Sequence, residues 1–202
     1  MSKIVLYGPV TAPFTRKVQG ALGLKKLAYE FVTPQCPEDY RRWNPATGLL
    51  PLIDVDGERV HDSARILDLL DKRFPEPPLV ASDPKVAQSQ SRLEQWAEAA
   101  FTFYWIHYLR GLVSPDEDGP PSRPGLAGEF AQRLDDLVNF LGSRPFFYSD
   151  VPSRADLAVW SYLAGLRHAV GPEVADVMES RVELIEHSAR VAARVEEGND
   201  EG

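Results

Sequence analysis

The sequence predicts an α/β first half of βαβ-ββα type followed by an all-helical second half. Three observations carry this. Two short apolar runs near the N-terminus flank a stretch of helical periodicity that opens on a proline. An Asp-Gly turn joins two further short strands and leads straight into a helix with an acid-serine start. After Pro75-Glu76-Pro77-Pro78 only helical periodicity remains.

Lys3 to Tyr7 is a β-branched apolar run closed by Gly8-Pro9, hence a buried strand. Pro13 suits the first turn of a helix reaching Leu24, with Phe14, Val18 and Leu22 toward one side. Leu27 to Thr33 reads as a second strand ended by Pro34, and a βαβ unit makes the two strands parallel. Pro37 to Trp43 is compatible with a short helix or a loop. Leu52-Ile53-Asp54-Val55-Asp56-Gly57 places Asp-Gly between apolar residues, the signal of a type I′ hairpin. Asp62 or Ser63 then caps a helix from Ser63 to Phe74. A hairpin running directly into helix N–H groups, with a hydroxyl beside them, suits a carboxylate ligand.

The domain division expected from this is 1–76, a linker at 77–83, and a helical domain over 84–202. One long helix runs from about Pro84 to Leu112, with Leu93, Trp96, Ala97, Ala100, Phe101, Tyr104 and Tyr108 on one side. Ser114 to Gly125 is a loop. Helices follow at about Leu126 to Leu141, Ser153 to Ala169 and Glu173 to Val195, the last one broken, and Val195 to Gly202 reads as a frayed acidic tail. Ser153-Arg154-Ala155-Asp156 has the spacing of a capping box ahead of the apolar run Leu157-Ala158-Val159-Trp160, which makes that helix central and buried.

Composition narrows the function classes. With 202 residues and 44% hydrophobic content the chain can bury a substantial core. A net charge of −8 and a pI near 5.0 argue against a nucleic-acid or anionic-membrane partner. Local positive clusters at Arg16-Lys17, Lys25-Lys26 and Arg41-Arg42 still leave room for a small anionic ligand. Cys36, the single cysteine, excludes an intramolecular disulfide or a CxxC pair and fits a reducing compartment. No signal-peptide core precedes the first strand, and the run from Phe101 to Val113 is too short to span a bilayer. The expected location is cytoplasmic.

The order of these features resembles a glutathione transferase of the cytosolic kind. The resemblance spans essentially the whole chain. Its most specific parts are Ala12-Pro13-Phe14-Thr15-Arg16-Lys17-Val18, Asn44-Pro45-Ala46-Thr47-Gly48-Leu49-Leu50-Pro51-Leu52-Ile53, Asp62-Ser63-Ala64-Arg65-Ile66 and Ser153-Arg154-Ala155-Asp156. It implies a thioredoxin-like N-terminal domain, an all-α C-terminal domain and a homodimer. It also implies a glutathione site. Leu50, ahead of a cis Pro51, offers its backbone to the cysteinyl part. Asp62 faces the γ-glutamyl ammonium and Ser63 the neighbouring carboxylate. The glycyl carboxylate meets a cation at Arg41 or Arg42. Phe14, Tyr104 and Tyr108 line a pocket for a hydrophobic electrophile, while most of the cluster Phe101, Phe103, Tyr104, Trp105, Tyr108 is helix packing.

One position departs from the pattern. Where serine- and cysteine-type members carry the hydroxyl or thiol that faces the glutathione sulfur, this chain has Ala12. A thiol of pKa about 8.5 is a few per cent ionised at neutral pH. A helix N-terminus contributes roughly 0.3–1 kcal/mol toward the thiolate, and a hydrogen bond involving a charged group about 1.5–3 kcal/mol. The missing hydroxyl therefore costs more than the helix restores. Three residues are candidates to replace it: Thr11, at a spacing used by other serine-type relatives; Tyr7, at the position of the phenol in tyrosine-type relatives but more simply a packing residue; and Thr15, which reads as a capping or solvent-facing side chain.

Asp54-x-Asp56-Gly57 begins like a calcium loop but lacks the later ligands, and His61, His107, His168 and His187 show no paired metal spacing, so no metal is expected. Two functions follow. One is an enzyme joining glutathione to, or removing it from, a hydrophobic electrophile. The other is a catalytically weak or inactive glutathione-binding or protein-interaction module.

Overall fold

The computed structural model of the protein describes residues 2–113, 125–169 and 172–199. The loop expected at Ser114 to Gly125 falls, up to residue 124, outside the described residues. In chain order the elements are β1 (Ile4–Tyr7), α1 (Pro13–Leu24), β2 (Glu30–Val32), α2 (Pro37–Trp43), β3 (Leu52–Val55), β4 (Glu58–His61), α3 (Ser63–Arg73), α4 (Pro84–Val113), α5 (Leu126–Leu141), α6 (Arg154–Ala169), α7 (Pro172–Glu179) and α8 (Val182–Asn199). The chain divides into two units, Met1–Leu79 with Ala192–Gly202, and Val80–Val191.

In the first unit the strands form a mixed sheet in the order β2-β1-β3-β4. β1 and β2 are parallel, as the helical crossover between them requires, and the other pairs are antiparallel. Leu6 opposes Ile53 and Ile4 opposes Val55, so these four buried residues share one face. Helix α3 packs on β3, β4 and α1, and the core is completed by Val18, Ala21 and Leu22 of α1 and Ile66, Leu67 and Leu70 of α3. The Asp-Gly turn has φ of 54° at Asp56 and 91° at Gly57, the positive pair a type I′ turn needs. Asp54 accepts from the Gly57 N–H at 2.8 Å, and Asp56 from the Lys3 N–H at 2.9 Å, so both acids are engaged in the turn.

Strand β2 is shorter than the apolar run predicts. The Lys26 and Leu27 N–H groups turn back to the Gly23 and Leu22 carbonyls, and Lys26 has φ of 53°, so closing α1 consumes residues that would otherwise extend the strand. Lys25, buried, gives its ammonium to Asp71 at 2.7 Å and to the Phe74 and Pro77 carbonyls at 2.7 and 2.8 Å. Three acceptors match its three donors, the condition for placing an ammonium out of water.

As far as Asn199 the tail expected to fray is instead helical, and residues 200–202 lie outside the described residues. Helix α8 runs to Asn199, and Val195 is buried. Gly23 of α1 explains why: a Cβ there would stand 2.6 Å from the Val195 carbonyl oxygen, so glycine lets the two backbones approach. The helix expected from Glu173 is broken into α7 and α8 at Ser180-Arg181, where Arg181 pairs with Asp135 of α5 at 3.0 Å.

In the second unit α4 packs along α6. Phe101 stands at the centre, with Trp96, Tyr104 and Phe130 at ring distances of 5.9, 6.2 and 6.1 Å. Burial raises the Tyr162 phenol's pKa, and its hydroxyl bonds to Thr102 at 2.6 Å. At the start of α6 the Asp156 carboxylate is fully buried. It accepts from the N–H and hydroxyl of Ser153 at 2.8 and 2.7 Å, from the Phe147 N–H at 2.8 Å and from His187 Nε2 of α8 at 2.8 Å. Asp156→Ala leaves an imidazole and two backbone donors buried without an acceptor. Denaturant unfolding should show a loss of about 3–5 kcal/mol; a loss under about 1 kcal/mol would show that the cluster contributes little.

Candidate functional site

Tyr7 pairs with Val32 on one side and with Leu52 on the other, and Leu52 pairs with His61. This row is the last across the sheet, so the segments leaving it lie at one end: Gly8 to Ala12 into α1, Thr33 to Cys36 into α2, Leu50-Pro51 entering β3, and Asp62-Ser63 into α3. The N-termini of three helices follow these segments. Such an end offers unpaired donors and a positive dipole.

The Leu50-Pro51 peptide is cis, and Pro51 is buried. Ahead of it Asn44, 3% exposed, donates from Nδ2 to Thr47 Oγ1 at 2.7 Å and to the Leu49 carbonyl at 2.8 Å. The Leu49 N–H returns to Thr47 Oγ1 at 3.1 Å, and the Gly48 N–H to the Asn44 carbonyl at 2.8 Å. Sequence reasoning did not single out Asn44 or Thr47; an Asn-Pro step before a Gly was the available signal.

Asp62 has φ of 78°, rare for a residue other than glycine, and its Oδ1 accepts from the Ala64 and Arg65 N–H groups at 3.0 and 3.1 Å. The cap thus takes two of the helix donors that the sequence reading left to a ligand. The Ile66 N–H bonds to the Asp62 carbonyl, so the Ser63 N–H and hydroxyl and Asp62 Oδ2 lie outside these bonds. Ser63 is the first residue of α3 and is buried.

Helix α1 opens on Ala12, which has extended backbone angles and no side-chain cap bond, with Pro13 next. Ala12 is buried and Thr11 exposed. Thr15 is fully buried, its hydroxyl unpartnered and tight against Gly8, where a Cβ would stand 2.4 Å from Oγ1. It neither faces solvent nor acts as the helix's N-cap, because the crossing at Gly8 draws it inward.

Tyr7 lies on the sheet face opposite the α3 core. Its ring meets Trp43 of α2 at 5.0 Å, and the Arg59 guanidinium of β4 sits over it at 5.9 Å. Arg42 stands 5.6 Å over the Trp43 ring and pairs with Asp39 at 2.8 Å, while Arg59 pairs with Asp54 at 3.0 Å. The result is a row of cations and rings terminated by carboxylates. The Arg59 hydrogen bond lowers the Asp54 pKa; for Asp39 the Gln35 N–H, accepted at 2.7 Å, has the larger effect and Arg42 adds to it. Cys36, exposed at the start of α2, has its thiol pKa raised, chiefly by a hydrogen bond to Glu38. This disfavours its reactive thiolate.

In the second unit Tyr104 is buried against Phe101, Phe103 and Phe130, and Tyr108 meets His107 and Phe130. Tyr104 also lines an open cavity of about 380 Å³ with Trp96, Phe103 and Arg133. Phe14, on α1, belongs to the first unit and is half-buried.

A mixed sheet flanked by helices, with a cis proline entering its third strand, and a separate helical unit define a thioredoxin-like domain joined to an all-α domain. Comparison with known proteins shows what the chain is similar to. Residues 6–78 match the family model described as glutathione S-transferase, N-terminal domain. Glutathione S-transferase Z2 of Arabidopsis thaliana is 37% identical over 89 residues, which are 41% of this chain and 39% of that one. A glutathione S-transferase from Rhodospirillum rubrum F11 superposes with a TM-score of 0.79 at 24% identity, covering 93% of this chain and 87% of the other. One from Methylobacterium radiotolerans, solved with glutathione sulfonate, has a TM-score of 0.76 at 27% identity, covering 95% and 91%. Residues 6–78 thus match the N-terminal domain of the glutathione S-transferases, and the fold is similar to that of these solved transferases. It spans about two fifths of the length of the first curated relatives it matches, 42% and 39% for two of them. Among the described residues no helix is long and apolar enough to cross a membrane.

The Tyr7 contacts yield a prediction. Tyr7→Phe keeps both ring contacts and should change unfolding free energy by no more than about 0.5 kcal/mol, whereas Tyr7→Ala should cost roughly 2–4 kcal/mol. Equal losses in the two variants would give the stabilisation to the hydroxyl rather than the ring.

Proposed function

We propose that the chain binds glutathione at the open end of its sheet and joins it to a hydrophobic electrophile. The reading is carried by one juxtaposition: Leu52 pairs with His61, so the cis Leu50-Pro51 peptide and the Asp62-Ser63 start of α3 flank the same final pair of the ladder. Leu50 would pair its backbone with the cysteinyl unit, in the manner of an added strand. Ser63 would hold the γ-glutamyl carboxylate and Asp62 Oδ2 the ammonium. The glycyl carboxylate would meet Arg42 or its neighbour Arg41. Tyr104 and Tyr108 are proposed for the electrophile. A homodimer in the cytoplasm completes the reading.

The step is nucleophilic. The sulfur gives an electron pair to the electrophilic carbon and a C–S bond forms. The displaced group leaves with its bonding pair, or an unsaturated acceptor takes the electrons and later a proton, while the thiol proton passes to water. With Ala12 supplying no hydroxyl, the rate gain comes mainly from holding the two reactants together. Thr11, exposed in the turn before α1, is the hydroxyl proposed to assist. The same Ala12 favours the second reading, a glutathione-binding module with little turnover.

Titrating the protein with glutathione, with heat reporting binding and ultraviolet absorbance reporting thiolate across about pH 5 to 10, separates these. Binding with a thiol pKa below the usual value of about 8.5 supports the enzyme, and Thr11→Val should then raise that pKa, leaving affinity unchanged at low pH where the thiol is bound and weakening it where the thiolate is. Binding without a pKa shift supports the module, and no binding refutes both. Ser63→Ala should weaken binding by roughly 1–3 kcal/mol, the range for a lost charge-assisted hydrogen bond; an unchanged Kd removes Ser63 from the site.

A further inference from the structure

Asn44 is one of the buried polar side chains of the first unit, and the thiol chemistry proposed above makes no use of it. Its location has consequences. It closes α2, its N–H bonding back to the Tyr40 carbonyl, and it stands seven residues before the cis proline. Both Nδ2 protons are committed, one to Thr47 Oγ1 and one to the Leu49 carbonyl. That arrangement fixes which way the amide faces, because its oxygen could not take the place of a donor to a carbonyl. Thr47 Oγ1 receives two bonds, from Asn44 and from the Leu49 N–H, which fill its two lone pairs. Gly48 makes the turn with φ of 68° and packs against the Arg41 stem, where a Cβ would lie 3.3 Å from the Arg41 Cγ.

Asn44 and Thr47 therefore satisfy both backbone polar groups of Leu49. None of these bonds uses the N–H or C=O of Leu50, and the ladder of β3 begins at Leu52. Leu50 is left between a tied loop and a paired strand. Backbone groups at such a place seek an external partner, and an extended peptide provides one.

We propose that Asn44, with Thr47 as its relay, is a positioning residue for the glutathione peptide: it anchors Leu49 so that the Leu50 backbone is held ready to pair with the cysteinyl unit. This rests on the glutathione reading above and adds to it the residues that fix the geometry. Touching no ligand, Asn44 acts through Leu49. A side chain that merely stabilised the loop would lower the melting temperature and leave the affinity of the folded protein unchanged.

The test is glutathione titration of the full chain, wild type and variants, at a temperature where each is folded by circular dichroism. Asn44→Ala should raise Kd by about tenfold, the upper end for one lost hydrogen bond. Thr47→Val, at an exposed position, should raise it several-fold, while Thr47→Ser, which keeps the relay oxygen, should match wild type. In the double variant Asn44→Ala with Ser63→Ala the two fold-changes should multiply, because the residues act on different units of the peptide and share no partner. Folded Thr47→Val binding within twofold of wild type overturns the positioning role, and it leaves the glutathione reading intact. Failure of the wild type to bind overturns that reading and the proposal with it.

Discussion

The register that pairs Tyr7 with both Val32 and Leu52, and Leu52 with His61, is the constraint on which the candidate site depends. It decides which loops emerge side by side. It also decides which side chains face the α1 and α3 core: Ile4, Leu6, Ile53 and Val55 inward, Tyr7, Asp54 and Arg59 to the other side. A slip of one residue would exchange the two sets, placing an Asp–Arg pair in the apolar core. The apolar alternation along β1 and β3 thus fixes more than a core.

Charge in this region is used structurally before it is used chemically. The Asp62 carboxylate is committed through Oδ1 to the cap of α3, and the bonds from Ala64 and Arg65 accompany a positive φ that costs of order 1–3 kcal/mol. Arg42 is shared between Asp39 and the Trp43 ring. Asp39 and Asp54 both have lowered pKa values, so the stability they confer is present above the ordinary carboxylate range and is lost as pH falls through their folded values. A ligand arriving at this end of the sheet meets groups already oriented by the protein.

Local signals explain most of what could be read in advance. Pro13 and Pro37 each open a helix, Asp-Gly makes its turn, and Ser153-Arg154-Ala155-Asp156 caps a helix whose Leu157, Ala158 and Val159 are fully buried. The candidate site was legible where one residue announces a backbone geometry, as at Pro51 and Asp62. It was illegible where the decisive partner is distant or the signal is a small polar residue. Nothing near Thr15 in sequence shows that Gly8 will cover it, Tyr7 meets Trp43 across 36 residues, and Asn44 looks like any turn asparagine until its bonds to Thr47 and Leu49 are seen. A break in the helical run from Glu173 was expected from the sequence, but its place at Ser180-Arg181 was not, since Arg181 answers to Asp135 of another helix.

The seating of Val195 on Gly23 bears on how the chain is made. The first unit joins Met1–Leu79 to Ala192–Gly202, so its structure is written in two stretches of sequence separated by the second unit. During synthesis the sheet, α1 and α3 emerge early, yet the surface around Gly23 waits for the last turns of α8 to leave the ribosome. Domains usually complete themselves in the order they are translated. Here the first unit is completed only after Val80–Val191 have been made, and a nascent chain stalled before residue 192 would carry an uncovered glycine notch on an otherwise assembled sheet-and-helix layer.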